Sequence, residues 1–580
     1  MNKKVLIVGG VAGGASTAAR LRRLDEDVEI IMFERGEYIS FANCGLPYYI
    51  GGIISDREDL LVQTPKAMRD RFKIDVRIKN EVLSIDRKNK KVKVKDLDKN
   101  KEYEEKYDIL VLSPGADPIK PPIDGIEGDK IFYLRNVRDT DLINDFIEDT
   151  NPKRAVVVGA GYIGVEMAEN LTHRGIETSI VEMQDQILTS LDKEMVAQAH
   201  NHMRMNGIDL YLENTVKAIG DVAGKKVIEL KNRNKISTDF IVMAAGVSPN
   251  IKLAEDADLE IGKLGAIEVD KNLKTSDENI YALGDAVEVK HPVIGSETYI
   301  PLAGPANKQG RIVANNICGM GEEFDGSQGT AIAKVFNMTV GSTGLNEKEI
   351  IENNMEYQKS YTIVKNHAGY YPGAVPMSIK LLYSGKNGQL YGSQVVGYEG
   401  VAKRLDVFAA AVRFKKTIFD LKDIDLAYAP PFGNAKDPVN MAGYVSENTF
   451  NELVKNICCL TLDDMNKNDD IQLIDVREDE EVKMGMIRGA IHIPLNSLRD
   501  KMDKLDKNKK TVIYCAAGLR GYLGARILQE HGFEDVYNLA GGYKMYIEHK
   551  KDEYEVIDET ATKANAVIET IMTPEEAHRL

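Results

Sequence analysis

The run Val5-Leu6-Ile7-Val8 is apolar at every position, which is the pattern of a strand buried on both faces of a parallel sheet. It ends in a glycine-rich turn, and a stretch of helical period follows. The same strand, turn and helix order recurs over Arg154 to Glu182, so the pattern predicts two α/β nucleotide folds. Between Phe240 and Gly284 the chain returns to short apolar runs ending in Ile280-Tyr-Ala-Leu-Gly284-Asp285, which implies that the first fold is split around the second. From about Thr330 to Tyr444 strands of alternating type, such as Ser378-Ile-Lys-Leu-Leu-Tyr383, predict an α+β domain. A polar stretch near Asp463 to Asp470 reads as a linker into a last α/β unit, with strands at Gln472-Leu-Ile-Asp475 and Thr511-Val-Ile-Tyr514. The predicted bounds are 1–113 with 250–328, 114–249, 329–445, a linker at 446–468, a unit at 469–555 and a polar, patternless tail at 556–580.

Length agrees with this division, since 580 residues at about 150 per domain give roughly four. The net charge of −15 disfavours a general nucleic-acid role, so any anion site must be local. Five cysteines, Cys44, Cys318, Cys458, Cys459 and Cys515, are odd in number and lack the spacing of a disulfide framework or a zinc site, which predicts free thiols. No metal is expected. The chain runs from Met1 into its first strand without a signal-peptide pattern, and no apolar stretch approaches the length of a membrane span, so a cytoplasmic protein with no membrane partner is expected.

Two turns carry the first chemistry. Gly9-Gly10-Val11-Ala12-Gly13-Gly14 departs from G-x-G-x-x-G at Val11, where close backbone approach to a pyrophosphate is wanted, but Glu34 ends the next strand where a carboxylate can accept ribose hydroxyl bonds. Gly159-Ala-Gly161-Tyr162-Ile-Gly164 matches in full, and Glu182 ends its following strand. A glutamate there repels a 2′-phosphate, and no basic residue follows to neutralise one, so NADH is favoured over NADPH.

Two dinucleotide sites in one chain imply a bound flavin and a diffusible nicotinamide. The chain resembles the flavoprotein disulfide reductases, the pyridine nucleotide-disulfide oxidoreductases, through both turns, through Ser113-Pro-Gly115-Ala and Ala245-Gly246-Val-Ser-Pro, and through Asp285, which matches an acidic residue beside the flavin ribityl chain. The resemblance implies two Rossmann-like domains. FAD would be held by Gly9, Val11, Ala12, Gly14, Glu34, Ser113, Gly115, Asp285 and Ala303. NADH would be held by Gly159, Gly161, Tyr162, Gly164, Glu182 and Gly246.

Ordinary members of this family pair two cysteines five residues apart, whereas here Tyr49 stands five residues after Cys44. A disulfide on Cys44 must therefore be made with a partner outside its loop, such as a small thiol. The segment Ser40-Phe-Ala-Asn43-Cys44-Gly-Leu-Pro47-Tyr-Tyr-Ile-Gly-Gly52 resembles the signature of the CoA-disulfide reductases, the single-cysteine branch, and predicts a stabilised thiolate that attacks a disulfide sulfur. Ser16, Arg20 and Arg23 share one helix face and suit the phosphates of CoA, while Arg22 points elsewhere. The resemblance adds Ser40 and Asn43 as CoA contacts, with Arg71, Lys73 and Lys436 as possible extensions of the anion site. It also implies a homodimer in which two tyrosines reach the cysteine across the interface. Tyr370 and Tyr428 are the candidates, acting by hydrogen-bonding a thiolate or protonating a leaving thiol.

In the last unit a strand ends on Cys515, and Cys515-Ala-Ala-Gly518-Leu-Arg520 leads into a helix. Inward N–H groups and Arg520 would stabilise a thiolate or persulfide there. This loop resembles the rhodanese active loop, and Leu473-Ile-Asp475-Val-Arg477 with Gly485-Met-Ile-Arg488-Gly-Ala-Ile-His492-Ile-Pro494 matches two further rhodanese signatures. Its C-x4-R spacing suits sulfane sulfur better than the phosphate taken by a C-x5-R loop. Cys318 reads as buried or incidental, the Cys458/Cys459 pair is a weak redox candidate, and the remaining histidines read as satisfied structure.

The implied reaction sequence is that NADH reduces FAD and reduced flavin reduces a Cys44 mixed disulfide or persulfide, releasing CoA thiol or sulfide. The rhodanese unit would move sulfane sulfur to or from CoA. Two rivals are an NADH oxidase, with Cys44 cycling through a sulfenic acid, and a redox-sensing or sulfur-carrier module without turnover.

Overall fold

The computed structural model describes residues 3–468, 470–557 and 571–572. The chain divides into two compact units, the first made of Met1–Met183 with Asn214–Gly329 and the second of Gln184–Glu213 with Thr330–Leu580.

In the first unit five parallel strands lie in the order Ile280–Ala282, Ile109–Leu112, Lys4–Val8, Glu29–Glu34, Asp75–Ile78. The strand at the far edge, Ile280–Ala282, comes from late in the sequence. Alternation sorts the central strand's side chains between two cores. Val5 and Ile7 pack with Ala18, Leu21 and Val313 of the helices Ala12–Leu24 and Ala303–Ile317. Leu6 and Val8 face the other way, into Val82, Val92 and Val94. Those residues belong to an antiparallel meander, Asn80–Asp86, Lys91–Asp96 and Lys101–Lys106, so the second face is covered by strands and not by the helices expected from the apolar run. The two helices approach closely because a Cβ at Gly310 would lie 2.6 Å from the Gly13 carbonyl oxygen. Parallel strands Glu177–Val181, Arg154–Val158, Phe240–Met243 and Ile131–Tyr133 form the second nucleotide fold of this unit. The two connecting motifs meet as an antiparallel pair, Ala116–Pro118 with Val247–Pro249.

In the second unit a five-stranded antiparallel sheet runs Ala331–Val335, Met338–Gly344, Leu390–Gly397, Pro376–Tyr383, Gln358–Lys365. The helix Lys193–Met205 belongs to this unit. Fully buried Lys380 holds it to the sheet by pairing with Glu194 at 2.5 Å, Asp192 at 2.7 Å and Glu347, and three carboxylates offset the cost of desolvating one ammonium. A further parallel sheet has the order Lys455–Ile457, Val536–Leu539, Thr511–Tyr514, Gln472–Asp475, Ile491–His492.

Two boundaries differ from the sequence reading. The stretch 446–468 is no linker: the helix Pro438–Phe450 runs through its start, Lys455–Ile457 is an edge strand, and Cys459–Asn468 is a helix. Val454, Ile457, Cys458, Cys459 and Leu462 are buried, and this short apolar pattern is masked by the polar run after it. The tail assigned to 556–580 begins inside the helix Gly542–Ile557, and Ile571–Met572 pairs antiparallel with Met486–Ile487. The remaining tail positions, 558–570 and 573–580, lie outside the described residues. Cys318 is exposed rather than buried, closing the helix Ala303–Ile317 as its C-cap.

Candidate active sites

The two glycine turns are built alike. Gly9 and Gly159 take φ values of +97° and +104°, where any Cβ would strike the carbonyl oxygen of Ser113 or Ala244 at 2.0 and 2.2 Å. A Cβ on Gly14 or Gly164 would lie 1.9 or 2.0 Å from the oxygen of Gly9 or Gly159, so these glycines let each helix start against its strand. Space above Gly161 is open, whereas Val11 carries a side chain at the matching position and caps the helix that begins at Ala12. The two strand-end carboxylates also correspond. Glu34 accepts N–H bonds from Gly10 at 2.9 Å and Gly36 at 2.8 Å, and Glu182 accepts from Ala160 at 2.7 Å. Each carboxylate is thereby aimed across its turn and retains lone pairs for further donors.

Ser113 follows the strand Ile109–Leu112, its oxygen beside the position a Cβ on Gly13 would take. Gly115 and Gly246 accept from the amides of Asn250 and Ile119 at the paired connecting strands. Asp285 lies in the turn after Ile280–Ala282. Burial raises its carboxyl pKa against the opposing pull of Arg135. Arg135 was not anticipated; burial beside Arg35 lowers its own pKa to about 10. Ala303 opens its helix, and Ser16 donates to Asn307 one turn further on at 2.5 Å. A glycine cradle, two aimed carboxylates and a carboxyl pushed toward its neutral form fit a flavin dinucleotide in the first turn and a nicotinamide dinucleotide in the second.

Cys44 is exposed in the one-turn helix Asn43–Gly45, ahead of Leu46–Ile50 with Pro47 in its first turn. The surrounding protein mass and then the carboxylates of Glu166 and Asp285 push the thiol pKa up. Glu166 is a residue that motif spacing missed, although it stands two positions after Gly164 in the same helix. Burial raises its carboxyl to about 6, and it accepts from the Tyr48 hydroxyl at 3.2 Å.

The basic residues divide cleanly. Arg22 is buried and spends its guanidinium on the carbonyls of Phe72, Asp25, Glu26, Val28 and Lys73. Arg20 donates to neutral Asn315 at 2.9 Å, Arg23 is exposed, and Arg71 and Lys73 are exposed at the end of the helix Pro65–Phe72. No carboxylate within ion-pair distance neutralises any of these four among the described residues. Ser40 adopts φ +45° and donates its amide to Gly10 at 2.8 Å, while Asn43 is exposed.

In the second unit Tyr370 and Tyr428 meet, hydroxyl to hydroxyl, at 3.0 Å, and both are exposed at 77% and 48%. Lys436 is exposed in the turn before Pro438–Phe450. Cys515 is buried, and its sulfur accepts the Gly518 amide at 3.1 Å; of the inward N–H groups expected, this one reaches it. Gly542 lets a second turn pass against the loop, since a Cβ there would lie 2.3 Å from the Cys515 oxygen. Tyr543 and Lys544 donate their amides to the carbonyls of Cys515 and Ala516. Arg520, whose charge acts on Cys515, is held by Glu481, in two bonds of 2.6 and 2.7 Å that no motif announced. The signature residues Asp475, Arg477, Gly485 and His492 are wired together: Arg477 forks onto Asp475 and donates to Gly485, and His492 bonds the Arg477 carbonyl.

Comparison with known proteins agrees with this arrangement. The model of the pyridine nucleotide-disulphide oxidoreductases matches residues 3–310, that of their dimerisation domain 330–438, and that of the rhodanese-like domain 460–549. Among curated relatives, the coenzyme A disulfide reductase of Staphylococcus haemolyticus is 35% identical over 443 residues, 76% of this chain and 99% of that one. The Staphylococcus aureus (strain JH9) enzyme is 36% identical over 442 residues, with the same coverage. Among solved structures, reduced CoADR-RHD of Bacillus anthracis superposes with a TM-score of 0.92 at 48% identity, covering 95% of this chain and 98% of that one. A NAD-dependent persulfide reductase from A. fulgidus gives a TM-score of 0.89 at 38% identity, covering 94% and 100%. With two glycine-rich turns of one design, a free exposed Cys44 and a C-terminal rhodanese-like domain in one chain, this oxidoreductase belongs to the pyridine nucleotide-disulphide oxidoreductases, among the coenzyme A disulfide reductases that carry a rhodanese-like domain.

Proposed function

We propose that the chain uses NADH to reduce CoA disulfide or CoA persulfide through Cys44, with FAD held by 1–113 and 250–328, NADH by 114–249, a dimer built through 329–445 and sulfane sulfur handled at Cys515. The single observation that carries this reading is that Cys44 is exposed and unpaired in a unit that also presents four cations with no carboxylate partner among the described residues. A thiol substrate bearing several phosphates answers both features. The names of the relatives, coenzyme A disulfide reductase and NAD-dependent persulfide reductase, support the same substrate classes. When bound, FAD supplies two-electron exchange between a nicotinamide and a sulfur.

The chain's own residues bind and orient. Gly9, Val11, Ala12, Gly14, Glu34, Ser113, Gly115, Asp285 and Ala303 hold FAD, and Gly159, Gly161, Tyr162, Gly164, Glu182 and Gly246 hold NADH. Ser16, Arg20, Arg23, Ser40, Asn43, Arg71, Lys73 and Lys436 receive the CoA phosphates and pantetheine arm. Cys44 forms the mixed disulfide, and Tyr370 and Tyr428 supply a proton to the departing sulfur.

The test is NADH consumption under nitrogen with CoA disulfide or CoA persulfide, against consumption in air without either. The expected result is fast anaerobic turnover that needs the CoA substrate, with kcat/KM for NADH above that for NADPH. Turnover that needs only oxygen would instead establish an NADH oxidase, a reaction carried by the structurally similar water-forming enzyme of Lactobacillus brevis, which has a TM-score of 0.75 at 26% identity and covers 78% of this chain.

A further inference from the structure

The Cys515 loop presents a guanidinium whose charge is already answered. The charge of Arg520 acts on Cys515, yet both its Nη atoms are engaged by the two oxygens of Glu481 at 2.6 and 2.7 Å. A fork-to-fork pair of this geometry fixes the guanidinium and cancels its net charge at short range. The neighbouring guanidinium is balanced in the same way. Arg477 is buried in its fork with Asp475 and stacked 4.0 Å over the Tyr543 ring, whereas Lys544, whose amide bonds the loop carbonyl of Ala516, has no ion pair among the described residues, and burial lowers its pKa. The loop residue between Gly518 and Arg520 is Leu519, which stands 66% exposed, and Leu523 one turn along the helix is 43% exposed. A buried sulfur nucleophile thus has both nearby guanidiniums already paired with carboxylates, and an apolar rim.

We propose that Glu481 is a specificity-determining positioning residue: by pairing with Arg520 it restricts Cys515 to sulfane donors of low charge, persulfides of thiols uncharged near the sulfur, and rejects dianionic donors such as thiosulfate. The inference rests on Cys515 being the sulfur-transfer thiol. The chemistry separates the donors by charge. With a persulfide, Cys–S⁻ + R–S–S–H gives Cys–S–S–H + R–S⁻: the R–S to S bond breaks, a Cys–S to S bond forms, and the reacting pair carries a single negative charge throughout. With thiosulfate, Cys–S⁻ + S–SO₃²⁻ gives Cys–S–S⁻ + SO₃²⁻, and three negative charges must be brought together. Neither step changes the total oxidation level, so the donors differ in the charge that the loop must accommodate. An Arg520 free of Glu481 could meet that charge; the observed pair cannot without losing its carboxylate partner. The pantetheine end of CoA, whose phosphates lie far from the thiol, falls in the accepted class.

The full-length flavin-loaded protein is tested with two donors, the persulfide of 2-mercaptoethanol and thiosulfate, with cyanide as acceptor, so that thiocyanate formation reports sulfur transfer from either donor. The expected result for the wild type is a kcat/KM on the persulfide at least about a hundredfold above that on thiosulfate. Glu481→Gln should move that ratio toward thiosulfate by on the order of tenfold. Glu481→Asp, which keeps the charge, should restore the wild-type preference, an outcome that lost packing alone would not give. Comparable use of both donors by the wild type, or an unchanged ratio in Glu481→Gln, would overturn the proposal. Failure of the wild type with both donors would overturn it too, but through the separate failure of Cys515 as a transfer site, while CoA disulfide reduction at Cys44 reports that the protein is intact.

Discussion

The reactivity proposed for Cys44 rests on its position and not on the charges of Glu166 and Asp285. The surrounding protein mass, Glu166 and Asp285 all favour the neutral thiol, and the Glu166 carboxyl, hydrogen-bonded by Tyr48, is itself raised to about 6. The sign of the effect can be worked through. Above pH 6 Glu166 is charged and holds the Cys44 pKa up, so less thiolate is present at neutral pH than in an ordinary cysteine. Glu166→Gln removes that carboxylate. In the flavin-loaded protein, the inflection in the rate of iodoacetamide alkylation at Cys44 should move to lower pH than in the wild type; no movement, or a move upward, would show that Glu166 does not act on the sulfur. The cysteine and its loop were legible in the sequence because lone Cys44 within Ser40–Gly52 is a long local signature. Glu166 and Glu481 were not, because each acts on a residue far away in sequence, and no spacing announces a contact across 118 or 39 positions.

The nucleotide turns read well from sequence because their demands are local: a positive φ at Gly9 and Gly159, and a helix that starts against a strand at Gly14 and Gly164. Elements recruited by distant partners read badly. The segment 446–468 looked like a linker since its buried residues are few and its strand is short, yet Lys455–Ile457 finds a place beside Val536–Leu539. The last helix, Gly542–Ile557, is a stronger case, because its polar appearance hides a buried network with Lys193–Met205. His200 donates through Nδ1 to Asp552 at 2.8 Å while its Nε2 accepts the Ile187 amide, Arg204 bonds Asp552 at 2.7 Å, and Asn201 bonds Glu548. Burial works to raise the Asp552 pKa, but the bonds from His200 and Arg204 outweigh it and leave the carboxyl below its usual range. A lowered folded pKa means that this contribution is present above the unfolded carboxylate range and is lost as pH falls through the folded value. Asp552→Ala should cost about 2–4 kcal/mol, since it strands His200 and Arg204 in a buried site. Urea denaturation at pH 7 measures it, and the gap between wild type and variant should narrow in acid. A cost below about 0.5 kcal/mol would mean that the network is solvated.

Across the whole chain, motif order predicted four functional parts, whereas compactness groups the residues into two units and assigns Gln184–Glu213 to the unit that contains the rhodanese-like domain. Such grouping depends on contacts between segments that no local pattern encodes. Division of labour between the two thiols is testable at this scale. Cys515 has its own strand, its own helix start and its own Arg520, so Cys515→Ala should abolish persulfide sulfur transfer and leave NADH-driven reduction of preformed CoA persulfide within about twofold of wild type. Parallel loss of both activities at unchanged flavin content would mean that sulfur must pass through Cys515 first. The central claim, that Cys44 alone carries the reductive step, is tested most directly by rapid mixing of Cys44→Ser. The account predicts that NADH still bleaches the bound flavin at close to the wild-type rate, and that adding CoA persulfide under nitrogen then fails to restore its colour. Recovery of the oxidised flavin spectrum by CoA persulfide at the wild-type rate would contradict it.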